Sequence, residues 1–95
     1  MAKGYWIAHV TVTDPEQYKL YVDSAPEAFE KYNAKVLARA GQHVQLEGAG
    51  KARNVVLEFD SYDDAVACYN SEEYQAARKF RAEAGDADIV IVEGV

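Results

Sequence analysis

The chain has 95 residues, of which 49% are hydrophobic and 27% charged, so its composition is that of one globular domain (residues 1–95) with a small core. Its formal net charge of −6 argues against nucleic acid as a partner, because phosphate binding depends on Lys and Arg. No apolar run approaches the ~20 residues of a membrane span. The N-terminus has no secretory pattern, and Cys68 is the single cysteine, so we expect a cytoplasmic protein that does not associate with membranes.

The first third of the chain has the signals of a strand followed by a broken helix. Residues 4–12 alternate between two faces, as a strand does. Asp14-Pro15 is a helix start, with the aspartate as the N-cap and the proline at the first helical position. Pro26 interrupts the apolar stripe that follows, which predicts two short helices, with Ser24 capping the second.

The middle of the chain is predicted to hold two strands and a long connection. Residues 34–39 form the second predicted strand, and Gly41 is expected to turn or bulge the chain. A short extended piece at 43–47 and a glycine-rich turn at 48–51 follow. The third predicted strand covers 54–60.

The last third repeats the strand–helix–strand order. Ser61 begins a capping box, and Ser71 is expected to cap a further helix. Gly85 is expected to end that helix, and 89–92 is the final predicted strand. The whole pattern predicts an α+β fold, a ferredoxin-like βαββαβ sandwich.

The strands are apolar on both faces, which has a consequence for assembly. If Trp6 faces the helices, Tyr5 and Ile7 need cover on the opposite side of the sheet. The final strand is apolar on both faces as well. Because two helices cover only one face of a four-stranded sheet, we expect a second copy to cover the other. The prediction is a homodimer that buries about 1,600 Å² or more in total.

Three of the predicted strands each hold an ionisable residue among apolar neighbours: His9, Arg39 and Glu58. A charge inside an apolar strand is unfavourable unless it meets a partner, so this base, cation and acid predict one shared polar site. Face alternation places all three on the side away from the helices. As catalytic candidates, they suit acid–base chemistry on a small anionic or carbonyl compound. The structural alternative is an ion-pair network that fixes the sheet or the dimer.

Four hydroxyl-bearing residues are weaker ligand-binding candidates: Tyr18, Tyr69, Ser71 and Tyr74. The helical spacing of Tyr18 also fits the core, and the other three cluster at a helix break where hydroxyls cap the backbone. We expect no metal and no cofactor, because the chain has no HxxxH or CxxC motif and no glycine loop in a phosphate-binding context.

A set of segments spread over the chain carries a resemblance to a known family. They are Gly4-Tyr5-Trp6-Ile7-Ala8-His9, Asp14-Pro15-Glu16-Gln17-Tyr18, Val36-Leu37-Ala38-Arg39, Glu47-Gly48, Arg53-Asn54-Val55-Val56-Leu57-Glu58-Phe59, Tyr69-Asn70-Ser71-Glu72-Glu73-Tyr74 and Val92-Glu93-Gly94. Taken together, they resemble the domain-of-unknown-function family 1330, within the dimeric α+β barrel superfamily. The resemblance implies two ferredoxin-like protomers with their sheets face to face and implies no established activity. The superfamily includes cofactor-independent monooxygenases, isomerases, haem-degrading enzymes and stress-response proteins, so the fold gives little functional guidance.

Two functions therefore remain open. The first is a small homodimer that binds a small molecule in a sheet-lined pocket, in which His9 acts as general base, Arg39 binds an anion and Glu58 orients one of them. The second is a non-catalytic structural or stress-related dimer in which the same residues only fix the fold. A cavity of at least ~300 Å³ touching His9 and Arg39 would favour the first, and a packed network the second.

Overall fold

In a computed structural model, which describes residues 2–95, four antiparallel strands form one sheet and the helices pack on one of its faces. The elements in chain order are β1 (Gly4–Val12), α1 (Pro15–Ser24), α2 (Pro26–Lys31), β2 (Lys35–Arg39), β3 (Arg53–Phe59), α3 (Tyr62–Asn70), α4 (Glu72–Ala82) and β4 (Gly85–Glu93). The strand order is β2-β3-β1-β4, so β1 is central and β2 and β4 are edges. The predicted α+β ferredoxin-like fold is confirmed.

Side-chain caps begin three of the helices, α1, α3 and α4, where the sequence predicts them. The Asp14 carboxylate accepts a hydrogen bond from the backbone N–H of Gln17 at 3.2 Å. The Ser61 hydroxyl accepts one from the N–H of Asp64 at 3.0 Å. Each cap satisfies a backbone donor that a helix start leaves unpaired, which is why these boundaries follow from local sequence.

The predicted break at Pro26 is confirmed, but the predicted cap is wrong. Helix α1 ends at Ser24 and α2 starts at Pro26. The residue before α2 is Ala25, and no side chain caps this helix. The Ser24 hydroxyl instead donates to the carbonyl oxygen of Leu20 at 2.7 Å, one turn back in α1.

The last strand is longer than predicted. Helix α4 ends at Ala82, and Gly85 starts β4 rather than ending the helix. Strand β4 pairs with the full length of β1, from Val12 opposite Gly85 to Gly4 opposite Glu93. The aspartates in β4 interrupt its apolar pattern, so its sequence alone marks only the apolar part, 89–92, as strand.

The connection between β2 and β3 contains no strand. Residues 43–47, predicted to be extended, pair with no strand in the described part of the chain, residues 2–95. The irregularity in β2 lies within the strand, between Val36 and Ala38, rather than at Gly41. One extra residue, Leu37, is therefore inserted into this edge strand as a β-bulge.

The core lies between the sheet and the helices and is centred on Trp6 of β1. Trp6, Leu57 and Phe59 are almost fully buried, together with Tyr74 from α4. The rings of Trp6 and Tyr74 meet edge to face, with their centroids 4.9 Å apart. The indole N–H of Trp6 donates to the carbonyl oxygen of Ala65 at 2.8 Å, which satisfies its only polar group.

No helix formed by residues 2–95 lies on the opposite side of the sheet, which is called the open face below. Its centre is apolar, because Ile7 and its cross-strand neighbours Val56 and Val90 lie there. Val90 is 54% exposed and Val92 is 43% exposed. The two-sided apolar pattern predicted from the sequence is therefore present, and one of the two sides lacks cover within the chain.

Candidate functional site

The predicted catalytic residues do not form one site. His9 and Glu58 lie on the open face, as predicted, whereas Arg39 lies on the side that faces the helices. The sheet thus separates the cation from the base and the acid. The prediction that all three share the face away from the helices is wrong for Arg39.

The β-bulge at Leu37 accounts for this error. Ala38 pairs with Val56, on the open face, and Arg39 pairs with Val55, on the helix side. In a regular strand without the extra residue, Arg39 would lie opposite Asn54 instead of Val55 and would point to the open face. A one-residue insertion reverses the facing of every residue that follows it in the strand.

His9 and Glu58 are also separated along the sheet. Strand β1 pairs Tyr5 with Glu58 and His9 with Asn54, so the two sites are four residues apart, or about 13 Å at ~3.3 Å per residue. Glu58 accepts a hydrogen bond from the hydroxyl of Tyr5 at 3.1 Å, and this bond raises the pKa of the Tyr5 phenol. The Nδ1 atom of His9 pairs with the side-chain oxygen of Asn54. His9 and Glu58 therefore have different hydrogen-bond partners.

Three of the four weaker candidates have structural roles. The Ser71 hydroxyl accepts from the N–H of Tyr74 at 3.1 Å and donates to the carbonyl oxygen of Cys68 at 2.7 Å, so it caps α4 as the sequence allows. Tyr74 is fully buried, and the ring of Tyr69 packs 5.3 Å from it. Tyr18 instead lines a cavity.

That cavity lies between the helix-covered face of the sheet and the α1–α2 segment. Its volume is about 90 Å³. Its walls are mainly apolar and aromatic and include Trp6, Tyr18, Tyr21, Phe29, Leu57 and Ile89. Three cations also line it: Arg39, Arg53 and Arg81. We call this cavity the arginine pocket.

The arginines reach the pocket from different elements. Arg53 is the first residue of β3 and lies opposite Val10, on the helix side of the sheet. Its guanidinium carbon lies 5.2 Å from the centre of the Tyr18 ring. Arg81, near the end of α4, has its guanidinium carbon 5.7 Å from the centre of the Tyr21 ring. Both cations are thus held over aromatic faces, which orients them without neutralising them.

These cations have no acidic partner. The Nε atoms of Arg53 and Arg81 are buried and make no hydrogen bond. Among residues 2–95, the side-chain ion pairs all involve lysines: Lys3–Asp60, Lys31–Glu73 and Lys51–Asp88. Arg81 is only 8% exposed, so water cannot fully solvate its charge. A buried cation without a counter-charge is unfavourable, and an anion in the pocket would relieve that cost.

A pair of phenols adjoins Arg81. The hydroxyl oxygens of Tyr21 and Tyr74 are 3.0 Å apart. Burial raises the pKa of both phenols above the ordinary value. They therefore remain neutral at physiological pH, where Tyr21 offers the pocket a hydroxyl group and no negative charge.

Arg53 and Arg81 were not among the predicted site residues, although the sequence contains signals for both. Arg81 follows Tyr74 by seven residues, two helical turns, so it lies on the same buried side of α4. Arg53 shares its face of β3 with Val55 and Leu57 by simple alternation. In each case a charged residue falls on an apolar stripe.

Other kinds of site find no support in the structure. Residues 2–95 contain no group of three or more His, Cys, Asp and Glu placed to hold a metal ion. No helix in this part of the chain is both long enough and apolar enough to cross a membrane. Burial raises the pKa of Cys68 to about 12, so its thiol is not an activated nucleophile.

Solved structures with similar folds include proteins with and without a described activity. A protein of unknown function from Rhodopseudomonas palustris has a TM-score of 0.77 and 17% identity, over 99% of this chain and 83% of that chain. A dimeric protein of unknown function with a ferredoxin-like fold from Bacteroides fragilis has a TM-score of 0.58 and 22% identity, over 96% and 95% of the two chains. SnoaB, a cofactor-independent oxygenase from Streptomyces nogalater, has a TM-score of 0.69 and 5% identity, over 97% and 92%.

These identities support the shared fold alone. No curated protein matches the chain in sequence. The sequence profile of DUF1330, a domain of unknown function, matches residues 3–95. The match covers nearly the whole chain, and the protein therefore belongs to this family.

Proposed function

We propose that this protein binds a small organic anion in the arginine pocket. The anionic group faces Arg53 and Arg81, and the apolar part of the ligand packs beside Trp6. The observation that carries the proposal is the pair of buried Nε atoms without hydrogen-bond partners in a pocket that has no acidic side chain. An anion would supply the missing acceptors and the missing charge together.

The pocket favours a carboxylate on a short apolar body. A guanidinium group donates two parallel hydrogen bonds to a carboxylate, which suits it to this anion better than an ammonium group. The cavity measures about 90 Å³ and His9 does not line it, so the condition of at least ~300 Å³ touching His9 and Arg39 is not met, and the ligand is limited to a small ring or a short chain. The aromatic walls match a ligand with a flat or aliphatic body.

The lining of the pocket favours binding over acid–base catalysis. Among residues 2–95, no carboxylate and no imidazole lines the cavity. Tyr21 is a poor base, because burial raises its pKa. His9 and Glu58, the base and acid predicted from the sequence, are on the other face of the sheet. In this proposal Arg39 keeps its predicted role as an anion-binding residue, and its exposure suits a place at the pocket entrance.

We also propose that the protein is a homodimer that joins through its open face. The exposed Val90 and Val92 are the main support, since monomeric proteins seldom leave such a sheet centre in water. The protein from Bacteroides fragilis is described as dimeric, which agrees with this proposal. A two-fold axis through the open face would bury the apolar centres of both sheets against each other.

Calorimetric titration with benzoate and benzamide tests the anion proposal. The two probes have the same ring and nearly the same size, and only benzoate is charged at neutral pH. We expect benzoate to bind at least about tenfold more tightly, since hydrogen bonds to charged groups contribute about 1.5–3 kcal/mol.

Matched substitutions locate the binding. Arg53→Met and Arg81→Met should each remove the preference for benzoate. Arg78→Met, in the same helix as Arg81 but outside the pocket lining, should keep it. Equal affinity for the two probes, or an equal loss in the Arg78 variant, would contradict the proposal.

A further inference from the structure

Residues 41–50, called the arm below, make no hydrogen bond to any other residue between 2 and 95. The arm lies between β2 and β3 and contains neither helix nor strand. Its side-chain hydrogen bonds are internal: His43 pairs with the carbonyl of Gly41, and Gln45 donates to the carbonyl of Glu47. The arm therefore projects from the domain instead of packing on it.

The arm carries two of the most exposed aliphatic side chains of the protein. Val44 is 76% exposed and Leu46 is 84% exposed. They are two residues apart, so an extended backbone points both to the same side. A pair of aligned apolar side chains on a projecting segment is typical of a surface that another chain covers.

The root of the arm is fastened to the open face. The Nζ atom of Lys51 lies 2.7 Å from a carboxylate oxygen of Asp88. Asp88 belongs to β4 and lies opposite His9 on β1, whereas Lys51 directly precedes β3. Because β1 lies between β3 and β4, the Lys51 side chain must cross β1 on the open face to reach Asp88.

A second set of contacts holds the same root. The side-chain amide of Asn54 donates to the carbonyl oxygen of Lys51 at 3.2 Å, and its oxygen pairs with His9. His9 therefore acts on the root of the arm through Asn54. His9, predicted from the sequence to be a catalytic residue, thus has a positioning role here.

We infer that the arm packs on a second copy of this chain and buries Val44 and Leu46 there, held in place by His9, Asn54 and Lys51. The inference rests on the homodimer proposed above, and continuity with that interface is its main support. The root of the arm is held on the side of the sheet that the proposed partner covers.

The size of the open face gives a second argument for the same occupant. Alternation along strands of five to nine residues points only roughly a dozen side chains to this face. A standard interface uses about 20–30 residues on each side. The sheet alone falls short of that range, and the arm of each protomer supplies the difference.

The test measures the dimer dissociation constant by sedimentation velocity over a dilution series. The arm variant is the double substitution Val44→Ser with Leu46→Ser. Its matched control is Leu20→Ser, because Leu20 is 45% exposed on α1 and lies away from the open face. We expect the arm variant to raise the dissociation constant about tenfold or more, and the control to leave it unchanged.

Two further variants separate the arm from the sheet. Val90→Lys, at the centre of the open face, should give a monomer. His9→Ala should weaken the dimer in the natural background and have little further effect in the arm variant, since both changes then act on one contact.

The possible results distinguish the two proposals. A monomeric natural chain, or a Val90→Lys variant that stays dimeric, would overturn the open-face dimer and the arm inference with it. Loss of the dimer in Val90→Lys, together with an arm variant that dimerises as tightly as the natural chain, would overturn the arm inference alone. Circular dichroism of each variant checks that the fold is intact.

Discussion

Replacing Arg81 with methionine is expected to stabilise the ligand-free protein while it weakens anion binding. Arg81 is 8% exposed, and its Nε atom has no hydrogen-bond partner. Methionine has a similar length and no charge, so it fills most of the same space among apolar neighbours. The substitution therefore removes an uncompensated charge without opening a large cavity.

The size of the effect follows from two opposing contributions. A buried cation without a counter-charge costs several kcal/mol, of which the unsatisfied Nε donor alone accounts for about 1–3 kcal/mol. Against this, the variant loses the attraction between the guanidinium and the Tyr21 ring, 5.7 Å away, worth about 0.5–2 kcal/mol. The net expectation is a gain of about 1 kcal/mol. For a domain of this size, that raises the Tm by about 4–8 °C.

Thermal melts followed by circular dichroism measure this shift, without ligand and at one fixed protein concentration, because dimerisation makes the Tm depend on concentration. Arg78→Met is the control on the same helix, and we expect its stability to change by no more than about 0.5 kcal/mol. If Arg81→Met instead lowers the Tm clearly below that of the control, Arg81 is a structural residue. An anion site in the arginine pocket would then lose its main support.

Three other predictions follow from buried or paired groups. Tyr21→Phe removes the 3.0 Å hydroxyl contact with Tyr74 and should lower the free energy of unfolding in urea by about 1 kcal/mol; an unchanged midpoint and slope would contradict this. Because burial raises the pKa of Cys68 to about 12, a thiol reagent at neutral pH should react only as fast as the protein opens, and fast labelling of the native protein would refute the burial argument. The hydrogen bond from Lys51 lowers the pKa of Asp88 below its usual 3.8, so the pair stabilises the fold above that pH and ceases to do so as the pH falls through the lowered pKa. Lys51→Met should remove this part of the acid dependence, as measured by urea unfolding at a series of acidic pH values.

Local sequence signals were sufficient for most of the fold. Strand β1 has the predicted bounds, 4–12, because alternation and the capped helix start at Asp14 mark both of its ends. Strand β4 begins four residues before the predicted 89–92, because pairing with β1 extends it through a polar segment. The start of β4 is therefore set by its pairing with β1, and no local sequence pattern predicts it.

The candidate site was harder to predict than the fold. The facing of Arg39 depends on the bulge at Leu37, and no feature of 36–39 marks which residue is extra. Arg53 and Arg81 lie on apolar stripes, yet charged residues on such stripes are commonly assumed to reach solvent. Only the packing of α1 and α2 over β3 turns these positions into a pocket, and that packing is a property of the tertiary structure.

The position of Trp6 makes the arginine pocket optically observable. It is the single tryptophan of the chain, it lines the cavity, and its indole is fixed by the bond to Ala65. Trp6 fluorescence, excited selectively, therefore reports on the interior of the cavity without an added label. A molecule that enters should change the intensity or the colour of this emission. Compounds can thus be screened against the natural chain by fluorescence alone, before any of them has been identified as a ligand.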